Sequence, residues 1–143
     1  MLRGIPPILS PEFVKVLMSM GHGDDIVLAD ANFPSESCGQ RVVRCDGHGI
    51  PELLEAILPL FPLDTFVEQP AALMAKAGGD SSPAEIWETY RSIIRKYHEL
   101  ERDFEFIERF AFYKRSREAF AVVATGETAL YANVILKKGV IEV

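Results

Sequence analysis

Cysteine is scarce in this 143-residue chain: Cys38 and Cys45 are the only two. In a chain long enough to bury its own core, that argues against a disulfide scaffold and fits a reducing, cytoplasmic compartment. Long apolar runs are missing as well. Proline or charge interrupts each one well short of the roughly 20 residues that span a bilayer, so no membrane is expected as a partner. The opening Met1-Leu2-Arg3-Gly4-Ile5-Pro6-Pro7 holds one charge, two prolines and no continuous apolar stretch, and does not read as a signal peptide. Basic runs interleaved with aromatics are absent and the formal net charge is -6. That disfavours nucleic acid, which is held largely by Lys and Arg on phosphates. There is no G-x-x-x-x-G-K-[ST], no G-x-G-x-x-G and no G-x-S-x-G, and Cys38 has no activating neighbour in sequence. His22, Asp24, Asp25, Asp30, Cys38, Cys45 and His48 crowd the first third of the chain. They form no H-x-x-x-H, C-x-x-C or H-E-x-x-H pair, so no metal site is expected.

What is present is an ordinary globular balance, 48% hydrophobic and 25% charged. Repeats, low-complexity tracts and linkers are missing, so residues 1–143 read as a single domain. Ser10-Pro11-Glu12 starts a helix with an N-cap, a first-position proline and an early acid. Phe13, Val16, Leu17 and Met20 supply its buried stripe, and Gly21 is expected to end it in the left-handed conformation. Residues 26–29 read as a strand buried on both faces, 31–40 as a loop and 41–45 as a second strand. A helix from Pro51 turns Leu54, Ile57, Leu58 and Phe61 inward until Pro59 and Pro62 stop it. Extended segments are expected at 65–67 and 72–75. Ser82-Pro83-Ala84-Glu85 reads as a capping box, followed by the stripe Ile86, Tyr90, Ile93, Ile94 and Tyr97. A strand at 104–107, a basic helix at 109–117 and strands at 120–124 and 134–136 complete the chain. The last two strands are expected to pair antiparallel. Alternating strands and helices imply an α/β domain, a mostly parallel sheet with helices on both faces.

Ligands of open α/β sheets usually sit outside the carboxyl ends of the strands. His22, within Gly21-His22-Gly23-Asp24, Asp30 after the first buried strand, and Tyr131 with Asn133 before the last strand all fit that expectation. Glycines on both sides of His22 free the backbone to turn and leave the imidazole uncovered. Each residue also has a structural reading. His22 is a cation at a helix C-terminus, Asp30 and Asn32 make a local turn, Tyr131-Ala132-Asn133 is a tight turn, and Arg109 is a solvated surface residue.

Six segments occur together, in order, over nearly the whole chain. They are Gly4-Ile5-Pro6-Pro7-Ile8-Leu9-Ser10-Pro11-Glu12, Met20-Gly21-His22-Gly23-Asp24, Ala29-Asp30-Ala31-Asn32-Phe33-Pro34, Arg109-Phe110-Ala111-Phe112-Tyr113, Thr125-Gly126-Glu127, and the run from Tyr131-Ala132-Asn133 to Val140. With these segments the chain resembles the L-fucose mutarotase and D-ribose pyranase family. The Arg-Phe-Ala-Phe-Tyr stretch is closer to the fucose branch. The resemblance implies a compact α/β domain that assembles into a ring-shaped homo-oligomer, commonly a decamer, with sugar sites at or near subunit contacts. It implies His22 as the catalytic histidine and Asp30, Arg109, Tyr131, Ala132 and Asn133 as the sugar-binding residues. Some family members carry Gly where this chain has Ala132, a change that a backbone contact survives. No cofactor is implied.

These residue types suit mutarotation. Opening a hemiacetal removes a proton from the anomeric hydroxyl and delivers one to the ring oxygen, and closing reverses both. Histidine, ordinarily titrating near 6.5, serves both directions. Asp30 accepts from hydroxyls, Arg109 and Asn133 donate, and Tyr131 either donates to a sugar oxygen or packs on the sugar. Three other readings compete with L-fucose mutarotation. A D-ribose pyranase needs His22 equally, a non-catalytic sugar-binding protein needs only the binding residues, and a metal-dependent hydrolase needs an ion.

Overall fold

A computed structural model describes residues 1–143. Six strands, β1 (Asp25–Ala29), β2 (Val42–Cys45), β3 (Ala71–Met74), β4 (Glu105–Ile107), β5 (Ala121–Thr125) and β6 (Val134–Lys137), form one sheet in the order β2-β5-β1-β6-β3-β4. Strand β1 is parallel to β5, β5 to β2, and β3 to β4, while β6 runs antiparallel to both β1 and β3. The sheet is mixed: five strands run one way, in keeping with the mostly parallel sheet expected, and a single reversed strand, β6, lies at its centre.

The expected β5–β6 hairpin does not form, because β1 lies between the two. The physical reason is in the connection. Thr125 Oγ1 donates to Ala29 O and accepts from Glu127 N, and Ala31 N donates to Glu127 O, so the chain leaving β5 is tied across β1.

Alternation along β1 divides two cores. Ile26 and Leu28 face a layer made by α1 (Pro11–Ser19), α3 (Ile50–Ile57) and α4 (Glu85–Tyr97). Val27 and Ala29 face the layer of α2 (Ser35–Cys38) and α5 (Arg109–Glu118), whose Phe112 is fully buried beside Phe33. Helices thus cover both faces of one α/β domain, as the continuous burial of β1, β3 and β5 requires.

Helix α1 starts as its sequence demands: Ser10 Oγ accepts from Phe13 N at 3.1 Å and Pro11 occupies the first turn. It stops differently. Met20 turns the chain into extended backbone at φ -71°, ψ 138°, and the left-handed residue is Gly23, at φ +85°, not Gly21. The capping box at Ser82 is also not made. Ser82 N donates to Asp80 Oδ1, which draws the chain into a local turn, and α4 begins at Glu85 without a side-chain cap. Residues 65–67 are exposed and not a strand, residues 35–38 of the expected loop form α2, and the second extended segment is β3. No helix is long and apolar enough to cross a membrane.

Candidate active site

The candidate site residues fall on two edges of the sheet, and β1 joins them. At the carboxyl edge of the parallel strands lie Asp30, the residue after β1, and Asn133, the residue before the reversed β6. Asn133 grips Asp30 twice: its Oδ1 accepts from Asp30 N at 2.7 Å and its Nδ2 donates to Asp30 Oδ2 at 3.2 Å. Asp30 Oδ1 also accepts from Asn32 N at 2.9 Å. Burial pushes the Asp30 carboxyl above the usual carboxylate range, with the charge of Glu127 adding to the rise and the hydrogen bonds from Asn32, Phe33 and Asn133 opposing it. The turn expected at Asp30 and Asn32 is present, and it aims the carboxylate instead of excluding a functional role.

Tyr131 adopts φ 55°, the only non-glycine residue with positive φ. A bulky side chain there is strained, and three bonds hold it in place. Its carbonyl accepts from Trp87 Nε1 at 2.8 Å, the neighbouring Ala132 carbonyl accepts from the buried Tyr90 hydroxyl at 2.7 Å, and the Tyr131 hydroxyl donates to Asp80. That hydroxyl also accepts from Ala77 N. It is therefore committed to the loop after β3, and only the ring of Tyr131 is left for any further contact. Ala132 is fully buried, so it offers backbone and not side chain.

Arg109 opens α5 immediately beyond β4, on this same edge. Glu108 caps the helix by accepting from Phe110 N and Ala111 N. Arg109 Nε donates to Tyr113 Oη at 3.0 Å, and its guanidinium lies 5.3 Å from the Phe110 ring centroid and 5.4 Å from that of Tyr113. It has no carboxylate partner in the chain. Tyr113 in turn meets Phe33 edge-on at 5.5 Å, which ties the Arg109 helix to the Asp30 loop. A pocket of about 350 Å³ opens beside Asp30, between Phe33, Ser35, Arg44 and Thr125.

His22 is not at this edge. It precedes β1, whereas Asp30 follows it, and the strand's five residues put about 13 Å between the two ends at roughly 3.3 Å per step. The expectation that His22 lies at a carboxyl end is corrected: it stands at the amino edge. Its turn is fixed by Gly21 N donating to Asp24 Oδ2, Gly23 N to Lys138 O, and Lys137 Nζ to Gly23 O. The imidazole is half-exposed, and Nε2 lies 3.0 Å from Oδ1 of Asp64, whose side chain is only 3% exposed. The Phe66 ring flanks it at 5.2 Å. No sequence signal marks Asp64. It is 42 residues from His22 and follows a helix end that carries no motif.

The model of the RbsD / FucU transport protein family matches residues 3–141. The chain is 54% identical to the fucose mutarotase of Homo sapiens, over 98% of this chain and 94% of that one. It is 53% identical to the L-fucose mutarotase of Glaesserella parasuis serovar 5 (strain SH0165), over 98% and 96%. A crystal structure of the fucose mutarotase from Streptococcus pneumoniae in complex with L-fucose superposes with a TM-score of 0.94 at 52% identity, covering 99% of this chain and all of that one. A match of this extent, on a sheet whose two edges carry the residues the resemblance named, makes the chain a member of the RbsD / FucU family.

Proposed function

We propose that this protein is an L-fucose mutarotase, an isomerase that interconverts the α and β anomers with His22 as acid/base and without a cofactor. Asp30, Arg109, Tyr131, Ala132 and Asn133 hold the sugar. The observation that carries this reading is the pair of complementary half-sites: a half-exposed imidazole at one sheet edge, and a carboxylate, an amide and a guanidinium without a carboxylate partner at the other. The nearly end-to-end likeness to proteins named fucose mutarotase supports the choice of sugar.

Because β1 separates the half-sites, one chain cannot close both on a monosaccharide. The working site is therefore formed by two copies, His22 of one meeting the Asp30 edge of the next. Such a contact is head-to-tail, and repeated around an axis it closes into a ring. Exposed Phe66 and Val67 near His22, and exposed Phe106, Phe110 and Leu130 at the opposite edge, supply apolar surface for it. This supports a ring-shaped homo-oligomer, for which a decamer is the expected size. Buried free thiols at Cys38 and Cys45 fit a cytoplasmic location.

In the reaction His22 takes the proton of the anomeric hydroxyl as the bond from C1 to the ring oxygen breaks, and the imidazolium returns a proton to the ring oxygen. Rotation about C1–C2 of the open aldehyde and reversal of both transfers give the other anomer. Acid/base catalysis of this kind contributes typically about 10²–10⁴-fold.

The test is saturation transfer between the two anomeric protons of L-fucose, with D-ribose and D-galactose as controls. Accelerated exchange for L-fucose above both controls is expected. Preference for D-ribose would turn the reading to a pyranase, and no acceleration with any sugar would leave a binding protein.

A further inference from the structure

We propose that Trp87 is a positioning residue of the sugar site: its indole N–H holds the Tyr131-Ala132-Asn133 turn in the strained form that binds sugar. This rests on the reading above, which assigns that turn to L-fucose.

Helix α4 presents Trp87 and Tyr90, three residues apart and so on one face. Both donate to the chain entering β6. Trp87 Nε1 donates to Tyr131 O at 2.8 Å and Tyr90 Oη to Ala132 O at 2.7 Å. Two successive carbonyls are therefore held from one helix, which fixes the peptide planes on both sides of Ala132. Asn133 follows directly, and its amide grips Asp30. The turn thus takes its shape from α4 and passes it to the end of β1.

The two donors are not equivalent. Tyr90 is fully buried in the larger core. Trp87 is half-buried at its rim, with Lys76 Nζ 5.4 Å from its ring centroid, the Phe106 ring at 5.1 Å and the Tyr131 ring at 6.4 Å. Its bond goes to Tyr131, at φ 55°. Such a backbone persists only where its surroundings over-determine it. The Tyr131 hydroxyl is anchored to Asp80 and Ala77 on a largely exposed loop, whereas the indole ties the Tyr131 backbone to a helix. Without the indole N–H, Tyr131 relaxes toward negative φ in part of the molecules. The apparent Kd then rises by the inverse of the fraction that keeps the binding form. The bound form itself is unchanged, and so is the rate from it.

Trp87 is the only tryptophan in the chain, so replacing tryptophan during expression changes this residue alone. In the full chain, 3-benzothienylalanine keeps the bicyclic shape with sulfur in place of N–H, and 7-azatryptophan keeps the N–H. Kd for L-fucose is read by ligand-observed NMR, and kcat and KM by anomer exchange. The sulfur form should bind roughly 3–10-fold more weakly, the range set by one neutral hydrogen bond. KM should rise in step and kcat should stay near wild type. The aza form should bind as the wild type does. Trp87→Phe also lacks the donor and should reproduce the sulfur form. In the wild type, L-fucose at about ten times Kd should slow solvent exchange of the indole proton about 10-fold, because only the closed turn binds. A merely structural Trp87 would lower Tm in the sulfur form and leave Kd and KM unchanged. That result, or indole exchange that L-fucose does not slow, overturns the proposal and leaves the mutarotase reading in place. A fall in kcat at unchanged Kd overturns it too. Were the wild type to bind L-fucose without exchanging its anomers, the mutarotase reading would go, and the Kd comparison would still decide the role of Trp87.

Discussion

His22 and Asp30 stand at opposite ends of the same strand, β1, each fixed there by β6: His22 through Gly23 N to Lys138 O, Asp30 through the double grip of Asn133. Neither can move toward the other without breaking the centre of the sheet, where both β1 and β6 are fully or nearly fully buried. Any sugar that meets both residues therefore meets two copies of the chain, and this has a sharp experimental consequence.

His22→Ala and Asp30→Ala should each be inactive alone and should complement each other when mixed. In an oligomer refolded from equal amounts of both, a site taking His22 from the Asp30→Ala copy and Asp30 from the His22→Ala copy is intact. Random assembly across a head-to-tail contact makes about one quarter of the sites of that kind. Anomer exchange of the mixture should recover to about that fraction of wild type under the same arithmetic. A mixture as inactive as its components would place the whole site within one chain.

Protection of the fold by L-fucose should weaken on acidification sooner than an ordinary carboxylate would predict. Asp30 titrates above its unfolded value because of burial, opposed by Asn32, Phe33 and Asn133 and reinforced by Glu127. Its own contribution to stability is therefore complete below the unfolded carboxylate range and lost as pH rises through the folded value. Sugar hydroxyls donating to the ionised group offset that loss, so the rise in Tm with saturating L-fucose should be largest near neutrality and shrink as pH falls through the folded value. In Asp30→Asn the rise should be small and flat across this window. An equal rise at every pH in wild type would contradict the assignment of Asp30 as a sugar acceptor.

Much of this fold is legible in sequence, and what is not has a physical cause. Ser10-Pro11-Glu12 and the stripe to Met20 dictate α1, and the unbroken apolar run of β1 announces a strand covered on both faces. Such signals act within a few residues. The insertion of β1 between β5 and β6 depends on Thr125 reaching Ala29, 96 residues away, and no local pattern carries that. The same holds for Asp64 and for the edge on which His22 falls. A residue flanked by glycines after a helix is read as belonging to the next strand's active end, although only strand direction decides which end that is. The capping box at Ser82 failed for the opposite reason: a correct local signal lost to another local one, the turn made by Asp80.

Tyr131→Phe should leave anomer exchange less impaired than loss of a sugar contact would. The Tyr131 hydroxyl is bound to Asp80 and to Ala77 N, so the variant gives up loop anchoring and keeps the ring. The rate should fall by less than the roughly 10-fold expected for losing a hydrogen bond worth about 1.5–3 kcal/mol to a charged group. Proteolysis at Gly78-Gly79 should quicken. Hydrogen bonds from Ser82 and Tyr131 hold the Asp80 carboxyl down at about 2. Its clasp is therefore in place above the unfolded carboxylate range and is lost only as pH falls toward that value. A 100-fold loss of exchange in a folded Tyr131→Phe would show the hydroxyl acting on the sugar.

Exhaustive dialysis against EDTA should leave exchange unchanged, because ring opening by the proposed mechanism asks only for two proton transfers, both assigned to His22. Loss of rate restored by one added divalent ion would revive the hydrolase-like, metal-dependent reading.

Arg109→Ala separates a binding residue from a surface one. The side chain is exposed and has no carboxylate partner. Its removal forfeits one bond to the Tyr113 hydroxyl and stacking on Phe110 and Tyr113, interactions that at exposed sites contribute about 0.5–1 kcal/mol. Melting temperature should therefore change little. Sugar handling should change a great deal if the guanidinium faces sugar oxygens, since Ala leaves those oxygens without its planar fork of donors. A hydrogen bond from a charged donor is worth about 1.5–3 kcal/mol, so KM for L-fucose should rise about 10-fold or more. Arg109→Lys keeps the charge and loses the fork, and should recover only part of the affinity. Full recovery in Arg109→Lys would assign the contact to charge alone, and unchanged KM in Arg109→Ala would remove Arg109 from the site. A fall in Tm without any change in KM would mean that the Arg109–Tyr113 bond serves only to hold α5 against Phe33.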